Sequence, residues 1–145
     1  MVAVLLANTE LVALAWLKET FPAGGVGTIL PNDATWSASG FTQVTALGGS
    51  SDQYLAFVHP VIGIDCWAFK AGSNKPPWGK ANNLAETIRR ACIKARPHRV
   101  TLGNNYPQAQ FYTAQMLTEP RRVPDAANYA RYNFSVAFHW APVTP

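Results

Sequence analysis

Residues 128–140 read Asn-Tyr-Ala-Arg-Tyr-Asn-Phe-Ser-Val-Ala-Phe-His-Trp, and this stretch decides the fold of the chain. From Ala130 to Trp140 every even-numbered residue is apolar, whereas the odd-numbered residues are polar apart from Ala137. Alternation with a period of two is typical of a β-strand that has one buried face and one solvated face. The sequence therefore predicts that this stretch forms the strongest strand of the chain, and that the strand ties the C-terminal region into a sheet.

Upstream of this strand, residue patterns predict two helices and five further strands. Asn8 and Thr9 are suitable helix caps, and apolar residues at helical spacing follow them as far as Pro22. A second helix is indicated by the apolar stripe at 84–95, which ends before Pro97. The remaining predicted strands are, in chain order, 26–30, 41–47, 61–69, 99–102 and 110–117.

These elements predict an α+β fold in which two helices pack on one mainly antiparallel or mixed sheet. The strand at 61–69 is apolar on both faces except for Asp65, which is typical of a central, covered strand. Pro60 precedes it and predicts a bulge or an edge, because proline has no N–H to donate. A loop at 119–127 joins the predicted strand at 110–117 to the terminal strand, and the two strands form a long hairpin. No repeat or linker divides the chain, so residues 1–145 are predicted to form one domain.

Composition and charge limit the functional classes. Charged residues make up only 14% of the chain, which also contains five tryptophans. This combination favours either a surface that a partner protein covers or simply a compact β-rich domain. The net charge of +4 comes chiefly from a cluster at 89–99 and from Arg121 and Arg122. A solvated helix face is the ordinary explanation of such a cluster, and nucleic-acid binding is the alternative, although no reading motif accompanies it.

Cysteine usage and the start of the chain indicate the cellular compartment. Cys66 and Cys92 fall in apolar contexts and are predicted to be small buried side chains. A disulfide between them is the alternative, but nothing else in the sequence argues for secretion. The apolar run at 1–7 lacks a preceding basic residue and is too short for an export signal or a membrane span. We expect a protein that is made and kept in a reducing cytoplasm.

Motifs for catalysis and for cofactor binding are absent. Neither of the glycine-rich phosphate-binding patterns occurs, and His59, His98 and His139 have no metal-ligand spacing. A carboxylate within an apolar strand needs a partner, and for Asp65 an Arg or Lys across the sheet is the favoured explanation over a catalytic or interface acid. The sequence therefore predicts no catalytic residue, no metal ligand and no cofactor.

Five residues are candidates for contact with another subunit or a partner. Trp36 and Trp78 are predicted to lie in loops, where a tryptophan either plugs the core of its own domain or anchors a partner. Arg121, Arg122 and Asp125 lie in the loop before the terminal strand. The guanidinium groups there suit bidentate pairing with carboxylates across a contact.

Four segments cover nearly the whole chain in a characteristic order. They are the helix at 8–17, the strand Phe-Thr-Gln-Val-Thr-Ala-Leu-Gly-Gly at 41–49, the strand 61–68 with the helix start at 84–89, and Glu-Pro-Arg-Arg-Val-Pro-Asp at 119–125 followed by the terminal strand. In this arrangement the chain resembles the tail terminator proteins of long-tailed, siphovirus-type bacteriophages, especially those of actinobacteria.

The resemblance implies a virion protein of the tail or neck that forms a homohexameric ring. Such a ring caps the tail tube protein, ends its polymerisation and joins the tail to the head–tail connector protein. DNA passes through the channel without sequence reading, and neither a cofactor nor a membrane is involved. The alternatives are a head–tail connector or head-closure protein of the neck, a small hydrolase or transferase that uses Asp65, and a nucleic-acid-binding domain that uses the cluster at 89–99.

Overall fold

The computed structural model describes residues 9–21, 25–31, 36, 40–51, 58–70, 72–102, 108–124 and 129–143. This part of the chain contains two helices and seven strands, which confirms the predicted α+β class. In chain order they are α1 (Thr9–Thr20), β1 (Gly25–Gly27), β2 (Phe41–Ser51), β3 (Val58–Ala68), α2 (Trp78–Lys94), β4 (His98–Val100), β5 (Ala109–Met116), β6 (Arg121–Val123) and β7 (Ala130–Pro142).

All seven strands belong to one mixed sheet. Its order is β1-β2-β3-β7-β5-β4, and β6 pairs with the part of β7 that β5 leaves free. The β1–β2 pair is parallel and the other pairs are antiparallel. The strands β3 and β7 lie at the centre, and their register runs from Val58 opposite Trp140 to Ala68 opposite Ala130.

The alternation in β7 is present as the sequence predicts. The even-numbered residues from Phe134 to Trp140 are at most 2% exposed, whereas the odd-numbered residues between them are half-buried. On the buried side, the Trp16 ring of α1 stacks on Phe111 at 5.3 Å between centroids and meets Phe138 edge-on at 5.4 Å. A layer of aromatic rings therefore joins α1 to β5 and β7.

Both helices cover the same face of the sheet, because all of their buried residues except Ala81 belong to one core cluster. In α2 these residues recur every three or four positions, which is the spacing of one helix face. The cluster combines Val12, Ala13, Trp16 and Leu17 of α1, Ala85, Ile88 and Cys92 of α2, and Ile62, Ile64, Cys66, Phe134, Val136, Phe138 and Trp140 of the two central strands.

Helix α2 begins six residues before its predicted start, so the prediction that Trp78 lies in a loop is wrong. The N–H groups of Lys80 and Ala81 donate to the Pro77 carbonyl at 3.1 and 3.3 Å, which forms the first turn. Proline is well suited to a helix start because the N–H that it lacks has no partner there. Residues 79–83 carry almost no apolar side chains, and the sequence pattern therefore conceals this turn.

The segment 119–127, predicted to be a loop, contains the short strand β6. Its residues pair with β7 from Arg121 opposite Asn133 to Val123 opposite Arg131. The strands β5 and β7 are antiparallel neighbours, but β6 interrupts the connection between them. Two charged residues between Pro120 and Pro124 show no apolar alternation, and this explains why the pattern misses the strand.

The strands β2 and β3 are longer than predicted and pair irregularly where they extend. The β2–β3 register shifts between Ala46 and Gly48, and a Cβ at Gly49 would overlap the backbone of His59 and Pro60. On the other side of β3, pairing with β7 resumes at Val61, which agrees with the missing N–H of proline. At the outer edge of β2, the Ala46 N–H donates to the Glu10 carboxylate at 3.1 Å.

We predict that the buried face of β7 dominates stability. Phe134→Ala should lower the free energy of unfolding by about 3–5 kcal/mol, because it leaves a cavity in a fully buried site. Ser135→Ala, on the opposite face, should change it by about 0.5 kcal/mol or less. Chemical denaturation of both variants tests this, and the reverse order of effects would mean that the faces are exchanged.

Candidate functional site

Asp65 is the most deeply buried acid of the described residues, with 7% of its surface exposed, and it has two partners on β7. Its Oδ1 accepts a hydrogen bond from Arg131 Nε at 2.8 Å and another from Asn133 Nδ2 at 2.9 Å. The explanation favoured by the sequence, an arginine across the sheet, is therefore confirmed. Charge-assisted hydrogen bonds of this kind compensate the carboxylate for its loss of water.

The same network continues across the outer face of the sheet, which neither helix covers. The Arg131 guanidinium carbon lies 5.0 Å from the Trp67 ring centroid, and Trp67 Nε1 donates to Gln43 Oε1 at 3.0 Å. Gln43 in turn donates from Nε2 to the Thr28 carbonyl at 3.2 Å. Polar groups of β2, β3 and β7 are thus held in one connected arrangement, which is a structural role.

The histidines fall into two separate environments. The rings of His59 and His139 meet edge-on at 4.7 Å, and His139 Nδ1 lies 3.2 Å from Thr113 Oγ1. His98 instead places Nε2 2.6 Å from a carboxylate oxygen of Glu19. Among the residues that the structure describes, no three His, Cys, Asp or Glu side chains are grouped as metal ligands.

Both cysteines are free thiols in the core under the helices. Burial raises the pKa of the Cys92 thiol to about 12. Burial, with a smaller contribution from the Asp65 carboxylate, also raises the pKa of Cys66 far above its ordinary value. Since the thiolate is the nucleophile, neither cysteine is activated at neutral pH.

Trp36, one of the five candidate contact residues, fills a pocket of its own chain. It is 5% exposed and lies 4.9 Å from the Phe69 ring and 5.6 Å from the Tyr129 ring, in edge-on contact with both. Its Nε1 donates to the Pro31 carbonyl at 3.3 Å. The side chain therefore fixes the connection between β1 and β2 against the outer face of the sheet.

Trp78 and Arg122 are brought together by the fold. The guanidinium carbon of Arg122 lies 4.0 Å from the Trp78 ring centroid, and the Trp78 ring meets Tyr132 edge-on at 6.2 Å. In the register of the sheet, Tyr132 is the direct partner of Arg122. The α2 start, β6 and β7 thus converge in one cluster, where a cation over an aromatic ring contributes about 0.5–1 kcal/mol at an exposed site.

This cluster carries the available guanidinium groups of the candidate contact residues. Arg121 and Arg122 are both exposed, and neither makes an ion pair with an acid in the described part of the chain. They can therefore bind carboxylates of another molecule. Asp125, the fifth candidate, lies outside the described residues. The sequence predicts these residues as contact candidates but not that they converge, because no local sequence pattern indicates the pairing of β6 with β7.

Comparison with known proteins identifies a shared fold. The chain matches no protein-family model and no curated protein. It resembles the structure of a protein chain from the virion of a native gene transfer agent particle, with a TM-score of 0.53 and 16% sequence identity. The match covers 93% of this chain and 87% of that chain. Among the described helices, none is long and apolar enough to cross a membrane.

We predict that Asp65 stabilises the folded chain. Asp65→Asn should lower the free energy of unfolding by about 1–3 kcal/mol, because two hydrogen bonds to a charged acceptor are weakened in a buried site. The control is Glu86→Gln, since the ion pair of Glu86 with Arg89 is exposed and 3.5 Å long. Its cost should be about 0.5 kcal/mol or less. Equal costs in urea denaturation would argue against the role assigned to Asp65.

We also predict that the thiols of the folded protein do not react with Ellman's reagent between pH 7 and pH 9. A thiol whose pKa is raised to about 12 stays protonated throughout this range, whereas an exposed cysteine, with a pKa of about 8.5, becomes markedly more reactive. In guanidinium chloride both cysteines should react. Stoichiometric labelling of the native protein at pH 9 would contradict this result.

Proposed function

We propose that this chain is a structural protein of a phage-like virion, where it forms a homohexameric ring that caps the tail tube and joins the tail to the head connector. The observation that carries the proposal is the fold shared with a chain of a gene transfer agent virion over 93% of the present sequence. The order of segments that resembles tail terminators supports the more specific role. In this role DNA passes through the ring without sequence reading, and no cofactor takes part.

The chemistry of the described residues agrees with a structural role. The buried acid of the chain is paired, both thiols are protonated, and the polar network connects strands to one another. Large apolar side chains are exposed at several places, including Ile29 at 79% and Ile93 at 69%. Exposed apolar side chains and exposed guanidinium groups are each suited to contacts between subunits.

We assign contact with a neighbouring subunit or with the tail tube to the surface formed by Trp78, Arg121 and Arg122, and to Asp125, which follows β6 in the sequence. The Trp78 ring provides a flat apolar area, and the two guanidinium groups provide forked donors for carboxylates. Trp36 enters this proposal indirectly, because it anchors the connection between β1 and β2 rather than presenting its own ring.

A head–tail connector or head-closure protein is the second candidate. The gene transfer agent likeness supports it equally, because the fold shared with one chain of that virion is compatible with either role. Particles made without the protein distinguish the two roles. Loss of a terminator should give tails of uncontrolled length, whereas loss of a neck protein should give tails of normal length beside unjoined heads.

The charge reversal Arg121→Glu with Arg122→Glu tests the assigned surface in a complementation assay. We expect normal circular dichroism, because both side chains are exposed, together with tails of uncontrolled length or tails that fail to join heads in electron micrographs. The matched control is Arg90→Glu with Lys94→Glu, which makes the same charge change on α2 and should leave tail length normal. Length-regulated, joined particles from the first variant would remove Arg121 and Arg122 from the mechanism.

A further inference from the structure

Helix α1 has apolar side chains on two of its sides. The side that packs on the sheet is buried and consists of Val12, Ala13, Trp16 and Leu17. On a neighbouring side, Leu11, Leu14 and Ala15 follow one another at helical spacing and are only half-buried. A helix that is apolar around most of its circumference is normally covered on more than one side. The sheet covers one side of α1, and the second side is the wall of a groove.

This groove, which we call the α1 groove, lies between α1 and the residues that follow the outermost strand β4. It is lined by Leu11, Leu14, Ala15, Lys18, Glu19, Thr101 and Leu102. Its volume is about 430 Å³, which is within the range of about 300–1,000 Å³ for ligand sites in proteins. Among the described residues of the lining, only Lys18 and Glu19 are charged, and both belong to the end of α1. The groove is therefore apolar along most of its length and suits an occupant without charge.

The sequence contains a segment of matching chemistry directly before α1. The apolar run at 1–7, Met-Val-Ala-Val-Leu-Leu-Ala, is separated from α1 by Asn8 alone and has no charged side chain. It lies outside the described residues. Seven extended residues span about 23–25 Å, whereas the 12 residues of α1 rise about 18 Å along its axis. A run that turns back at Asn8, a common turn residue, is therefore long enough to follow the groove as far as Lys18.

We infer that the apolar run at 1–7 binds in the α1 groove of its own chain. Binding removes apolar side chains of both the run and the groove from water, which is the main driving force for contacts of this kind. The connection through Asn8 holds the run near its own groove at an effective concentration on the order of millimolar, so that this groove is favoured over the groove of another molecule. The occupant needs no counter-charge for Glu19, which already lies 2.6 Å from His98. This inference does not rest on the proposed function.

A disulfide cross-link in the full-length protein tests the position of the run. Val4→Cys with Thr101→Cys should cross-link within one chain under mild oxidation, because a disulfide forms only where the two Cα atoms come within about 7 Å. Leu5→Cys replaces Val4→Cys in a second pair, because adjacent side chains of an extended segment point to opposite sides. The native cysteines are buried and protonated, and they should not interfere.

The matched control for the cross-link is Thr113→Cys in place of Thr101→Cys. Thr113 is also exposed, but it lies beside His139 on the outer face of the sheet. At least one of the two pairs with Thr101→Cys should form an intramolecular cross-link about tenfold faster than its control. Equal rates in the pairs and their controls would overturn the inference. A ladder of cross-linked oligomers in non-reducing electrophoresis would also overturn it, because the run would then occupy the groove of another copy.

Limited digestion with elastase, which cleaves after small apolar residues, provides an independent test. The unmodified protein should lose the run slowly, and Ala15→Glu should lose it about tenfold faster, because cleavage follows the population in which the run is released. A carboxylate in the groove opposes an apolar occupant. The control is Thr87→Glu, which adds the same charge at an exposed position of α2. If Ala15→Glu does not fold, Thr101→Glu adds the charge at an exposed position of the groove. Equal cleavage rates in variant and control would overturn the inference.

Native mass spectrometry separates this inference from the alternative that the groove is a contact between subunits. Ala15→Glu should show the same subunit number as the unmodified protein. A lower number would mean that the groove holds a second copy, and it would overturn the inference. The cross-link and the digestion use the purified protein and no virions. If particles form normally without this chain but the run cross-links to its own groove, the proposed function is wrong and the groove assignment stands.

Discussion

The pairing of β3 with β7 is the constraint on which the rest of the structure depends. These two strands form the centre of the sheet, and their even-numbered residues form the floor on which both helices pack. Their register also brings Asp65 opposite Asn133 and close to Arg131. A shift of one residue in β3 would place the carboxylate among the apolar side chains under α1 and α2, and a shift of one residue in β7 would expose its aromatic face to water.

The two faces of the sheet are stabilised by different means. The face under the helices is closed by apolar packing, with Phe111 stacked on Trp16 and Phe138 edge-on to it. The outer face has no helix. It combines hydrogen bonds that run from Gln43 through Trp67 with a buried aromatic cluster of Trp36, Phe41 and Trp67. The helices bury one face of the sheet, and the polar network connects the strands on the other face. The side chains at the rim of the sheet therefore remain free for contacts with other molecules.

Local patterns predict the fold class, the two helices and the alternation of β7, because each of these features repeats over many residues. They do not predict the features that depend on register or on short elements. The ion pair of Asp65 with Arg131 and the contact of Trp78 with Arg122 join residues that are far apart in sequence. The strand β6 is too short and too polar to show a periodic pattern. The sequence therefore predicts the candidate contact residues but not their arrangement in space.

Two open strand edges, one on β2 and one on β6, are guarded against unspecific strand addition. At the β2 edge, the Glu10 carboxylate occupies the Ala46 N–H, a donor that an added strand would need. The short strand β6 lies between Pro120 and Pro124, neither of which can donate to a new ladder. Such gatekeeper residues suppress amyloid-like aggregation. At these two edges, contact with another molecule then depends on side-chain recognition, which discriminates between partners, rather than on backbone pairing, which does not.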